Sequence, residues 1–201
     1  VIGAHYDHIG TNNRGQFNGG ADDNASGSAA ILELARAFQS LKEKPKRSIL
    51  FILFTAEEVG LLGSRYYVKA PLFPLNKTVA MFNLDMIGRN HVDQLNILGK
   101  YQYPALFKIV EKINKQTVNM KFNFSVEDSV RNSDHFPFMR NQIPVIFLIS
   151  GLHDHYHTPR DTPDRIVTEK LEKVTQLVFL SLWETANIPA GTSLQKKGEK
   201  K

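Results

Sequence analysis

A chain of 201 residues with 42% hydrophobic content is long enough to bury one substantial core, and no Pro- or Gly-rich linker divides it. There is no cysteine, which excludes thiolate metal ligation and disulfides, no internal repeat, and no apolar run near the roughly 20 residues of a membrane helix. The net charge of +5 does not argue for nucleic acid, because the lysines of the last six residues, set against Glu199, supply +3 of it and no basic face with interleaved aromatics remains.

The apolar stretch Val1 to Ala4 reads as a short strand that ends in Ala4-His5-Tyr6-Asp7-His8. On an extended backbone His5 and Asp7 share a face, so the aspartate can hold one imidazole nitrogen while the other binds a metal. His8 reads as an ordinary loop residue, as does His91. A glycine-rich acidic loop, Asn18 to Gly27, carries Asp22, Asp23 and Asn24 into a helix over Ala25 to Leu41. That helix shows Ala29, Ile31, Leu32, Leu34, Ala35 and Phe38 at helical spacing and ends before Pro45.

The next strand is Arg47 to Thr55, and its run Ile49 to Phe54 is apolar enough to be buried on both faces. Glu57 and Glu58 emerge at its end, where neighbouring side chains point in different directions. One carboxylate can therefore bind a metal while the other faces the substrate, which is the pairing a hydrolytic metal site needs. A helix from about Glu58 to Lys69 follows, then a strand from Thr78 to Leu84 with Asp85 at its end.

Gln94 to Leu98 is a further strand, and Tyr103 to Gln116 a helix starting near Pro104. Ser133-Asp134-His135 reads as the capped start of a short helix, Ser133 to Arg140, lining a pocket. Strand Ile143 to Ile149 leads to His153-Asp154-His155-Tyr156-His157-Thr158, in which His155 and His157 share a face if extended and His153 stays open. Thr168 to Asn187 closes the chain as a long helix with Leu171, Val174, Leu177, Val178 and Leu182 on one side. The loops Gly88 to Val92 and Ser125 to Asn132 border the expected cleft. Met86, Ile87, Phe136 and Phe138 read as core more readily than as an apolar substrate pocket. This alternation implies a three-layer α/β/α fold around a mixed, largely parallel central sheet.

Taken singly, each cluster has an ordinary explanation: a hydrogen-bonded His5 and Asp7, a calcium loop or helix cap at Asp22 to Asn24, first-turn helix charges at Glu57 and Glu58. Calcium leaves the histidines unexplained, and the order of the pieces is more specific than any one of them. GAHYD at Gly3 to Asp7, GADDNASG at Gly20 to Gly27, TAEEVGLLGS at Thr55 to Ser64, NLDM at Asn83 to Met86, Ser133-Asp134-His135 and Tyr156-His157-Thr158 resemble the M28 family of zinc peptidases, the co-catalytic aminopeptidases, over nearly the whole chain.

The resemblance implies two zinc ions per chain, one held by His5 and Asp85, the other by Glu58 and His157, with Asp23 bridging. Asp23 is preferred to Asp22 because the family bridge precedes the Asn-x-x-Gly turn, and His157 to His155 because of its Tyr-His-Thr context. Two such ions about 3.5 to 4 Å apart need a bridging carboxylate and a shared water, with nitrogen and oxygen donors completing each shell. Glu57 would be the general base for that bridging water, Asp7 would support a ligand without binding metal, and Tyr156 would donate to the oxyanion. A cis peptide after the bridging aspartate, between Asp23 and Asn24, is also implied.

The expected activity is release of N-terminal residues from peptides with a free N-terminus. The alternatives are a carboxypeptidase or dipeptidase, to which Arg131 would contribute a carboxylate-binding cation if it faced the cleft, a one-zinc glutaminyl-cyclase-like acyltransferase, and an inactive binding module. The resemblance points to a bacterial, periplasmic or secreted protein of the zinc exopeptidase fold. The chain begins at Val1, and relatives carry a further helix and strands upstream. We therefore expect residues 1–190 to be a catalytic domain lacking an upstream part, and residues 191–201 to be a basic, disordered tail.

Overall fold

The computed structural model describes residues 1–125 and 131–195. Six strands form one sheet in the order β2-β1-β3-β6-β4-β5, with β1 at Ile2–His5, β2 at Phe51–Phe54, β3 at Met81–Leu84, β4 at Gln94–Leu98, β5 at Lys121–Asn123 and β6 at Val145–Ile149. All neighbours are parallel except β4 and β6. The helices are α1 (Gly27–Ser40), α2 (Leu62–Lys69), α3 (Pro104–Gln116), α4 (His135–Arg140) and α5 (Thr168–Asn187). No helix among the described residues is long and apolar enough to cross a membrane.

Burial explains why the strands read as continuous apolar runs. All of β1, β3 and β6 is buried, as parallel strands covered on both faces require. Phe51 and Phe54 lie three apart on β2 and so point to opposite faces. Phe51 meets Phe38 of α1, which in turn meets Phe179 of α5, whereas Phe54 meets Phe138 of α4. The first layer is thus α1, α5 and α3, and the second is α2 and α4.

Several strands are shorter than their apolar runs. Pairing to β1 begins at Ile2, opposite Phe51 and Phe82. A strand exists where it has a neighbour, so the residues preceding Phe51 and Met81 stay outside the ladder. The expected helix from Glu58 starts only at Leu62, because residues 56–61 form a turn in which Ala56, Gly60 and Leu61 all have positive φ. Strand β5 was not expected, since KFN offers a single apolar residue to any periodicity. Of the second cleft loop, residues 126–130 lie outside the described residues, as do Lys196, Lys197, Lys200 and Lys201 of the basic tail.

Candidate metal centre

The four strands β2, β1, β3 and β6 run parallel and adjacent, so their carboxyl ends share one edge of the sheet. His5 is the last residue of β1, Glu57 and Glu58 follow β2, Asp85 follows β3 directly, and His157 lies in the loop after β6. Asp23 comes from the irregular turn Ala21–Ser26 at the head of α1, where the Asp23–Asn24 peptide is cis. Residues that are up to 152 positions apart thus meet at one place because the topology, not the local sequence, gathers them.

Two donor groups result, one of His5, Glu57 and Asp85, the other of His8, Asp23, Glu58 and His157. Asp23 joins them. Its Oδ1 is 3.3 Å from His5 Nε2, and its Oδ2 is 3.0 Å from His157 Nε2. His5 Nε2 is also 3.3 Å from Asp85 Oδ1, and His157 Nε2 is 3.2 Å from Glu58 Oε2. Donors about 2.0 to 2.1 Å from a common ion in a tetrahedral shell lie about 3.3 to 3.4 Å from each other, so these spacings fit zinc. Asp23 Oδ2 and His157 Nε2 are buried and close, yet neither forms a hydrogen bond. Their lone pairs are therefore not satisfied by one another and are available to a shared cation.

Asp22 is turned the other way. Its Oδ1 accepts the Gly88 amide at 2.6 Å and its Oδ2 faces His153 Nε2 at 3.4 Å. Among the late histidines, His155 Nδ1 contacts the Arg89 guanidinium instead, and only His157 reaches Asp23 and Glu58. Tyr156 stacks on His157 with ring centroids 3.7 Å apart. Arg131 is exposed, while Met86, Ile87 and Phe138 are core.

The ligand loops are tied to one another through backbone amides. The amides of Met86, Ile87 and Gly88, directly after Asp85, donate in turn to Asn24 Oδ1, Ser26 Oγ and Asp22 Oδ1. Asp161, fully buried four residues beyond His157, accepts the amides of Asp22 and Asp23 at 3.0 to 3.1 Å. Asp7 does so for the glutamate pair: its carboxylate accepts the Glu57 amide at 3.1 Å and the Glu58 amide at 3.3 Å. His5 Nδ1 meets the Asp7 carbonyl at 3.0 Å and its carboxylate only at 3.8 Å. The support that Asp7 was expected to give the imidazole through its side chain thus comes from its backbone. Ser133 does not cap α4; its hydroxyl donates to Asp85 Oδ2 at 2.7 Å and accepts from Asn83.

Crowded carboxylates set the electrostatics. Burial opposes charge on His5, but its hydrogen bonds to Asp23 and Asp85, with the charges of Asp85 and Glu57, push its pKa up to about 12. Burial and the Asp85 charge lift Glu57 to about 9, with His5 opposing. Burial also raises Asp23, with Asp85 and Glu58 adding to the rise against His5. Burial would raise Glu58 too, but the His8 hydrogen bond and the His157 and His8 charges outweigh it and leave this carboxyl below its ordinary range. Tyr156 is raised by burial and by the charges of Asp23, Glu58, Asp85 and Glu57, so its phenol lies in the field of the whole cluster. Protons gathered this way on buried ligands are what a metal cation displaces.

Two residues here had no distinct signal in the sequence. His8 reads as a loop histidine, although its place one turn past a strand end was the available clue. Asp161 serves a turn 138 residues away, which no local pattern reveals.

A mixed, mostly parallel sheet with histidine and carboxylate side chains gathered at its strand ends is the fold of the zinc exopeptidase class. The chain belongs to peptidase family M28, whose pattern matches residues 1–182. It is 32% identical over 197 residues to the aminopeptidase YwaD of Bacillus subtilis, covering 91% of this chain and 40% of that protein. Its identity to a probable leucine aminopeptidase of Arthroderma benhamiae is 29% over 194 residues, covering 92% and 54%. Among solved structures, BSAP, a zinc aminopeptidase from Bacillus subtilis, matches with a TM-score of 0.77 at 27% identity, over 96% of this chain and 47% of that one. A Porphyromonas gingivalis glutaminyl cyclase matches at 0.74 and 25% identity, over 91% and 72%. The chain therefore spans about half the length of the aminopeptidases it resembles.

Proposed function

We propose that the protein is a di-zinc aminopeptidase that removes N-terminal residues from peptides with a free amine. The observation that carries this reading is Asp23, which presents one carboxylate oxygen to each of two donor groups. His5 and Asp85 hold the first ion, Glu58 and His157 the second. Bound zinc supplies Lewis acidity, polarising the scissile carbonyl and acidifying water.

The protein's own groups do the rest. Glu57, oriented by the Asp7 carboxylate, takes a proton from the attacking water and returns it to the leaving amine, one carboxylate serving both halves of the hydrolysis. Tyr156, set by its stack on His157, donates to the oxyanion of the tetrahedral intermediate. Glu57 and Asp85 supply negative charge for the substrate's α-ammonium.

Residues 1–190 form a single catalytic domain in this reading. A periplasmic or secreted location goes with it on the family resemblance alone, and cell fractionation tests that location. The reading as a whole is tested by metal analysis of purified protein, together with hydrolysis of free and N-acetylated aminoacyl substrates. About two zinc ions per chain, with cleavage of the free-amine substrates alone, is the expected result. One ion with cyclisation of N-terminal glutamine would replace it with the acyltransferase reading.

A further inference from the structure

We propose that Arg89 is a positioning residue: its guanidinium clamps the turn from His155 to Asp161 and so fixes the place from which Tyr156 acts. This rests on the oxyanion role given to Tyr156 above. Arg89 lies four residues past Asp85 on the loop after β3, and its side chain is only 13% exposed. Its Nη2 donates to His155 Nδ1 at 3.2 Å; a guanidinium offers donors alone, so the imidazole accepts. Its Nη1 lies 3.9 Å from Oδ1 of the fully buried Asp161, an ion pair longer than a hydrogen bond. One planar group thus spans both ends of the turn, directly before Tyr156 and four residues beyond His157.

The clamp is itself held. Lys170 of α5, fully buried, donates to the Arg89 carbonyl at 2.6 Å. The neighbouring Asn90 side chain donates to the carbonyls of Ser150, Gly151 and Leu152 at 3.1 to 3.2 Å, which secures the loop where it leaves β6. Within the turn His157 has a φ of 55°, a conformation uncommon for a residue with a side chain and kept only where the surroundings impose it. The turn's own bonds run from the Tyr156, Thr158 and Asp161 amides to the carbonyls of His153, His155 and Thr158. These shape the turn, and its attachment to the Asp85 loop runs through Arg89 at both ends.

A lysine does not reproduce this geometry. Its ammonium is a single point of charge on a flexible stem, whereas the guanidinium presents its donors in a fixed fork. R89K therefore keeps a charge for Asp161 but loses the span between Asp161 and His155. H155A removes the other end of the span and leaves Arg89 beside Asp161.

Steady-state kinetics and amide hydrogen exchange on zinc-loaded R89K and H155A, with a double-mutant cycle to Y156F, test the assignment. H155A carries the test by itself should R89K not fold. In each folded variant kcat should fall by about tenfold, with zinc content unchanged and KM within about threefold of wild type, since a donor to the oxyanion acts in the transition state. The Tyr156, Thr158 and Asp161 amides should exchange faster while those of β6 do not. In the Y156F background the same substitutions should cost less than about threefold further, because the group they position is gone. Folded variants that keep kcat within about threefold of wild type, or losses that repeat in full on top of Y156F, would overturn the assignment and leave the di-zinc reading intact. Undiminished turnover in Y156F would overturn the oxyanion role and this assignment together.

Discussion

Glu57 and Glu58 are adjacent, yet they belong to different donor groups, because Asp7 receives both amides and fixes the turn between β2 and α2. Their separate tasks can be tested independently. E57Q keeps the shape and removes the proposed base, so turnover should fall by about a hundredfold to ten thousandfold while zinc content stays at the wild-type level; substantial peptidase activity in this variant would exclude Glu57 as the base. D161A acts elsewhere: it leaves the Asp22 and Asp23 amides without their buried acceptor, and zinc affinity should drop by about ten to a hundredfold as read by chelator competition. Residues of this second kind were hidden from the sequence. His5, Glu58 and Asp85 announce themselves by following strands, whereas Asp161 acts on amides distant in the chain and carries no local mark; Ser133 stands out in the sequence, but as a helix cap and not as the donor to Asp85. The resemblance prefers Asp23 to Asp22 on its place before the Asn-x-x-Gly turn, and the turn directs Asp22 to the Gly88 amide and Asp23 into the cluster.

At the scale of elements, the helices were the more legible. The apolar spacing of α5 and the proline at the start of α3 gave their limits closely, because a helix is specified by its own residues. Strand limits depend on partners, which explains why β2 and β3 are shorter than their apolar runs and why β5 was missed. The junction of the irregular turn with α1 is the most constrained of the joints. A Cβ on Gly27 would lie 2.7 Å from the Leu84 carbonyl oxygen and 2.9 Å from Asn24 Nδ2, and Asn24 is the residue that holds the Met86 amide and the Leu84 carbonyl. G27A should therefore destabilise the fold by about 1 to 3 kcal/mol, measured by urea unfolding, and lower zinc affinity along with it. A variant of wild-type stability would show that this contact relaxes without cost. On the opposite face, Phe138 is fully buried between Phe54 and Tyr67, and F138A should cost about 3 to 5 kcal/mol with no direct effect on the ligands.

For the molecule as a whole, the cluster of buried acids should make stability depend on metal and on pH. Asp134 lies beneath the site, and burial raises its carboxyl to about 7 from an ordinary 3.8, against the opposing charge of His5; neither of its oxygens has a hydrogen-bond partner among the described residues. An acid whose folded pKa exceeds its unfolded value contributes in full below the unfolded value and loses that contribution as pH rises through the folded one. The chelator-stripped protein should accordingly lose stability between about pH 4 and about pH 7 on account of this group, and D134N should flatten that slope in urea midpoints taken at pH 5, 6, 7 and 8. An unchanged slope would assign the effect to other acids. Zinc at about a thousand times its dissociation constant should add about 4 kcal/mol per site, read as a rise in melting temperature. This chain has no cysteine, yet five loops hung from different strands and one helix converge on the same two donor groups. Ions bound there would join His5 to His157 across most of the sequence, as a covalent bridge would, and constrain the unfolded chain in the same way. Such a staple forms without any oxidant and is undone by a chelator, so resistance of this protein to heat and proteases becomes a matter of the zinc supply around it.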